Sequence, residues 1–297
     1  MTLTSPRGGG LKDPGTLPYS NGVDAARSRL GSGPLWFAIL PQGAMSQASK
    51  GEDRAFGAPQ TVDGRTAESL PPWLYLWLPL FVALALLILG HWDIVFYERY
   101  IGSEVGLLET SHVLIPLVSV GLCLRILATA EARADRLVFV WIALAALGSL
   151  YIAGEEASWG QHYVGWLTPE AWQTLNDQGE TNLHNTSSWL DQKPRALLEV
   201  GVIVGGLIIP LMALRWPRLR AGRFAVFLPP LVCFPAAVIA IGSKLWERLQ
   251  DQGLWEVTLF QRASEIQELY FALFILFYLL VFRKRLLLRR SADAAPA

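Results

Sequence analysis

Six stretches of the chain are almost free of charge: 73–90, 105–124, 137–153, 196–214, 224–242 and 266–282. Each holds 17–20 residues, roughly 26–30 Å of helix at about 1.5 Å per residue, close to the thickness of a bilayer core of about 30 Å. The pattern predicts an all-α fold, a six-span transmembrane helical bundle over 71–286. Residues 1–70 are rich in Gly, Ser, Pro and charge, lack periodicity, and read as a disordered N-terminal tail. Met45 is a second candidate start. An outer loop, 154–195, separates the third and fourth spans, and 287–297 form a C-terminal tail. Pro229, Pro230 and Pro235 predict a kinked fifth helix.

Charge orients the bundle. Arg125, Arg133 and Arg136 follow span two, Arg215, Arg218, Arg220 and Arg223 follow span four, and Arg283, Lys284, Arg285, Arg289 and Arg290 follow span six. The intervening regions are much poorer in Lys and Arg, so the positive-inside rule puts both termini in the cytoplasm. The expected location is the cell inner (cytoplasmic) membrane, multi-pass. A formal net charge of zero argues against nucleic acid as a partner, leaving membrane lipid as the expected one. Cys123 and Cys233 both fall in apolar segments, so neither a disulfide framework nor a CxxC-type site is expected.

In this topology all four histidines and nearly all acids of the membrane domain lie on the outer side. Glu109, Glu199 and Glu268 stand 15 or 16 residues before Arg125, Arg215 and Arg283. Three helices thus carry a carboxylate at one depth, within the membrane boundary. Ionisable groups there are costly and are functional candidates. Glu109 and Glu199 in particular are expected to line one site; the plain alternative is ion pairing with Arg99, Arg195, Lys244, Arg248 or Arg262.

Candidate chemistry gathers on the same side. Glu109-Thr110-Ser111-His112 has the Glu-x-x-His spacing of carboxylate-bridged metal sites in helical bundles. Span three ends in Glu155-Glu156, adjacent acids that cannot share a helix face. Glu180 and His184 follow in the outer loop. Catalytic roles are expected for Glu155, Glu156 and His184. The expected metal ligands are Glu109, His112, Glu155, Glu156, Glu180 and His184. Glu104, Trp159, Gln161, His162, Asn182, Asn185, Glu199, Glu265 and Glu268 would line the surrounding pocket. Oxygen and imidazole donors suit Fe, Mn or Zn.

Gly154–Gln161 (GEEASWGQ) followed by Gly179–Asn185 (GETNLHN) resembles the GEE-x-SWGQ and E-x-NLHN signature of an uncharacterised family of bacterial polytopic membrane proteins. The resemblance covers about 73–285. It implies a membrane address but no reaction. Where the family carries arginine, this chain has His162. Glu155-Glu156 also resembles the paired acids of membrane-embedded CAAX-type glutamic proteases, but Gly160 stands in place of their arginine.

The expected function is a metal-assisted enzyme acting on a lipid or lipid-linked substrate at the outer face. A proton- or cation-coupled transporter is the alternative, and a membrane scaffold or assembly protein a third. The nearly wholly apolar inner halves of the helices weigh against transport.

Overall fold

The computed structural model describes residues 69–293 apart from 175, 177, 178, 184, 185, 221 and 222, together with 61–62 and 65–66. Thr61–Val62 and Arg65–Thr66 pair as a two-residue antiparallel ladder. The rest of the described regular structure is helical.

Among the described residues, five helices are long and apolar enough to cross a membrane: α1 (Trp73–Trp92), α2 (Leu107–Leu127), α3 (Arg136–Glu156), α4 (Gln192–Arg215) and α5 (Phe224–Asp251). They correspond to the first five apolar segments. The last segment lies in α6 (Ala263–Asp293). It is the most enclosed element: Tyr270, Phe271, Phe277, Leu279, Val281 and Phe282 are all buried. By contrast, Phe81, Leu84, Leu117, Leu144, Leu147 and Leu197 on the other helices are exposed. Large apolar side chains facing outward all round a bundle are unfavourable in water and suit a lipid surround.

Local chemistry sets the helix ends. Asp135 starts α3 by accepting hydrogen bonds from Leu137 N at 2.9 Å and Val138 N at 3.3 Å. Thr129 caps the five-residue helix Ala130–Ala134 in the same way. The prolines act on α5 as their chemistry requires. Short 3₁₀ turns at Arg223–Phe227 and Leu231–Cys233 precede a regular helix only from Phe234 to Asp251. The carbonyls left over at the break are taken by Arg285 of α6, which donates to Ala225 O, Val226 O and Leu228 O at 3.2, 3.0 and 2.7 Å. In α4, Ile203–Ile208 is wound as a π-helix.

The packing order explains where a cavity forms. α6 is flanked by α2 on one side and α5 on the other. α3 packs along α2, and α4 along α5. α3 and α4 therefore face each other across a trough whose floor is α6. Tyr270 ties the floor to α1 by donating to Pro79 O at 2.5 Å. Cys123 and Cys233 are buried free thiols that act as small packing groups.

Candidate functional site

The trough is a cavity of about 1730 Å³, larger than the roughly 300–1,000 Å³ of most small-molecule pockets. Its two ends differ. At the α2 N-terminus and α3 C-terminus it is lined by Glu104, Glu109, His112, Glu155, Glu156, Glu265 and Glu268, with Arg195 and Arg262. Toward the opposite helix ends its lining is apolar, including Leu144, Val204, Phe271, Phe274 and Ile275. There Trp141 Nε1 donates to Tyr278 Oη at 2.7 Å, and Tyr278 donates to Phe227 O at 3.0 Å.

His112 is the centre of the polar end, with 1 % of its surface exposed. Its Nε2 lies 2.9 Å from the carbonyl oxygen of Glu265. A carbonyl only accepts, so Nε2 carries a proton and the lone pair of the neutral ring is on Nδ1. Nδ1 points into a ring of carboxylates: Glu156 Oε2 at 3.5 Å, Glu109 Oε2 at 3.7 Å and Glu268 Oε2 at 4.0 Å. It is buried and has no hydrogen-bond partner. Glu109, His112 and Glu156 each offer one ligand atom, and these atoms lie within 4.8 Å of one another. Bonds of about 2.0–2.2 Å to a transition metal would draw such atoms around a shared ion. A histidine whose far nitrogen donates to a backbone carbonyl is also the usual arrangement behind a metal ligand.

The charged rim is ordered. Arg195 pairs with Glu268 Oε1, the oxygen other than the one nearest His112, and donates to Ser264 O at 3.2 Å. Its Nε is buried without a hydrogen-bond partner. Arg262 joins Glu98, at 2.8 Å, to Glu265. Burial opposes the charge on Arg262, but hydrogen bonds and attraction from Glu98 and Glu265 outweigh it and hold the guanidinium more firmly protonated than free arginine. Burial pushes the nearby Tyr97 phenol up to about 12, and the Glu265 carboxylate adds to the effect.

A second polar cluster forms where α3 ends. Ser158, Trp159 and Gly160 have φ of 43°, 54° and 109°, a run of left-handed residues that reverses the chain. Ser158 Oγ donates to Glu180 Oε2 at 2.8 Å and lies 3.0 Å from His162 Nε2, which is itself 3.0 Å from Glu180 Oε1. Asn182 Nδ2 donates to Ser158 Oγ and to Glu180. Gln161 Oε1 accepts from Thr181 N at 2.7 Å. Glu155, 3 % exposed, accepts from Trp159 Nε1 and Leu183 N, both at 2.7 Å. A Cβ on Gly154 would sit 2.9 Å from the Trp159 ring. The two motif segments therefore interlock.

The structure sorts the expected residues. It brings Glu109, His112 and Glu156 together, with Glu268 beside them and Glu104 and Glu265 in the lining of the same cavity. Glu155 and Glu180, expected as metal ligands, also line the cavity, and they hydrogen-bond within the interlocked turn. Glu155 points back to Trp159 and Leu183 because α3 stops at Glu156, so the adjacent acids diverge. His162 and Asn182 reach the cavity wall through the same turn, whereas Trp159 and Gln161 brace it from outside the lining. Glu199 does not line the cavity. It is turned toward α5, where Arg248 donates to it through two nitrogens at 2.8 and 3.0 Å. His184 and Asn185 lie outside the described residues. Ser158 and Arg195 take part in these networks without having been among the expected site residues. Ser158 was signalled only by its place in the motif, and Arg195 only as a charge partner.

Compared with protein-family models, with curated proteins and with solved structures, the chain matches none.

Proposed function

We propose that this is a metal-dependent membrane enzyme that acts on a lipid or lipid-linked substrate. One observation carries the reading: the buried, unpartnered Nδ1 of His112 faces Glu109, Glu156 and Glu268 at the polar end of a cavity whose other end is apolar. Fe, Mn or Zn suits the donor set. Such an ion supplies a Lewis acid and lowers the pKa of bound water. Glu109, His112 and Glu156 would hold it, and Glu268 would serve as a fourth donor or as a base held in place by Arg195. The apolar lining at the other end of the cavity, which includes Trp141, Tyr278 and Phe227, favours an enzyme over a transporter.

In this reading α6 is the sixth span, and both termini face the cytoplasm of an inner membrane. The alternating arginine clusters support that orientation. The resemblance to a family of bacterial polytopic membrane proteins agrees with the address. Cysteine introduced at Leu167 should react with an impermeant thiol reagent in intact cells, and cysteine at Arg220 should not, both without Cys123 and Cys233. Labelling at 220 would reject the orientation.

The chemical test is elemental analysis of protein purified without chelator, followed by incubation with lipid extract in mixed micelles. The expected result is about one Fe, Mn or Zn per chain, with loss of one lipid class detected by mass spectrometry. Glu156→Gln should abolish that conversion. Wild-type protein that stays metal-free after supplementation with all three ions would refute the reading.

A further inference from the structure

We infer that the gap between α3 and α4 is a lateral portal through which a membrane phospholipid lays one acyl chain in the trough, with its phosphate-bearing head at the His112 cluster. The inference names the substrate class of the proposed enzyme and rests on reading that cluster as the reacting end.

Three observations lead there. First, the walls are built by helices that pack away from each other, α3 on α2 and α4 on α5, leaving α6 as a shared floor. Leu144 and Leu197, on opposite walls, line the cavity yet remain exposed, so the trough opens sideways. In a bilayer that side meets hydrocarbon, and what enters from it is a lipid chain.

Second, the length fits. Glu268 and Tyr278 lie ten residues apart on α6, roughly 15 Å of axis. Trp141 and Glu156 lie fifteen apart on α3, roughly 22 Å. The hydrocarbon of one leaflet is about 15 Å deep, half of the bilayer core. The trough is therefore at least one leaflet long, and the hydrogen-bonded Trp141–Tyr278–Phe227 group lines its far end.

Third, each wall carries a glycine that faces open space. A Cβ on Gly148 or on Gly201 would meet no atom within 4 Å, although both glycines line the cavity. These are spaces that larger side chains could enter without a clash. At the head end, Arg195 lines the cavity and pairs with Glu268, and a guanidinium is a donor suited to a phosphate oxygen.

The test uses the full chain in phosphatidylglycerol vesicles doped with phosphatidylglycerol bearing a diazirine at the end of one acyl chain. After irradiation, peptides of α3, α4 and α6 that line the trough should carry the label. Gly148→Leu and Gly201→Leu should each lower that labelling about tenfold, because leucine fills the open space. Leucine also favours the helix more than glycine does, so folding should survive. Manganese(II) binding should match wild type in both. Unchanged labelling in both variants, or label confined to the outer faces of the bundle, would overturn the inference even if the metal binds. Labelling by a diazirine fatty acid but not by the phospholipid would overturn it too. Trough labelling blocked by both leucines in a protein that binds no metal would uphold the lipid path and refute the metal reading alone.

Discussion

Two clusters built from the same residue types lie at the same end of this molecule, and they differ in what is left over. Around Ser158, His162 and Glu180, serine, imidazole and carboxylate contact one another, and Asn182 adds two further hydrogen bonds. Around His112, one nitrogen is anchored to Glu265 O, while the other faces three carboxylates beyond hydrogen-bond distance. In the first arrangement each side chain already has protein partners. The second leaves a buried nitrogen that only a proton shared with carboxylates, or a cation, can satisfy. Composition would rate the two clusters alike. Donor and acceptor geometry separates an interlocked turn from a candidate reaction centre.

Crossing the clusters gives the largest expected effects. Glu155→Gln puts an amide where two N–H groups, from Trp159 and Leu183, need an acceptor. Leaving a buried donor unsatisfied costs about 1–3 kcal/mol, and more when the lost partner was charged. Unfolding in detergent should therefore shift by about 2–3 kcal/mol, with metal affinity changed less than about threefold. Glu156→Gln removes a ligand from the His112 group and should cut affinity for manganese(II) or zinc(II) by more than about tenfold, while the melting midpoint of the metal-free protein moves little. Calorimetry and isothermal titration on both variants decide the matter. If Glu155→Gln lost the metal and Glu156→Gln lost the stability, the two clusters would have been assigned the wrong way round.

The parts that were legible in the sequence are those fixed by spacing along one helix. Apolar run length located the helices, five of which are long and apolar enough to cross a membrane, since a bilayer-spanning segment needs no tertiary information. Glu109 and His112 are neighbours because i and i+3 share a helix face. The proline break in α5 follows from a missing N–H and a fixed φ. What was not legible depends on rotation about the helix axis and on chain reversal. Counting back from an arginine gives a glutamate's depth, but not its azimuth. So Glu199 and Glu268 look equivalent in sequence, yet α6 turns Glu268 toward His112 while α4 turns Glu199 toward Arg248. Likewise, Glu155-Glu156 reads as one acidic pair until α3 ends there and the left-handed turn at Ser158–Gly160 separates them. Gly148 and Gly201 gave no sign of a trough, because an open wall is a relation between two helices.

The smallest expected effect tests that rotation directly. Glu199 is 14 % exposed and Arg248 51 % exposed, so their ion pair borders solvent or headgroups. Exposed pairs contribute about 0–1 kcal/mol, because both partners are hydrated when apart and the long side chains lose freedom when held. Bidentate geometry places this pair near the top of that range. Glu199→Gln should thus lower stability by less than about 1 kcal/mol and leave metal content and lipid conversion at wild-type levels. Glu268→Gln, at the same depth, should weaken metal binding and leave the Arg195 guanidinium without its carboxylate partner. Shared depth alone predicts equal losses in the two variants, since both carboxylates would then serve one site. Helix rotation predicts that only Glu268 matters. Equal loss of metal in Glu199→Gln and Glu268→Gln would show that Glu199 reaches the cluster and that α4 is turned differently about its axis.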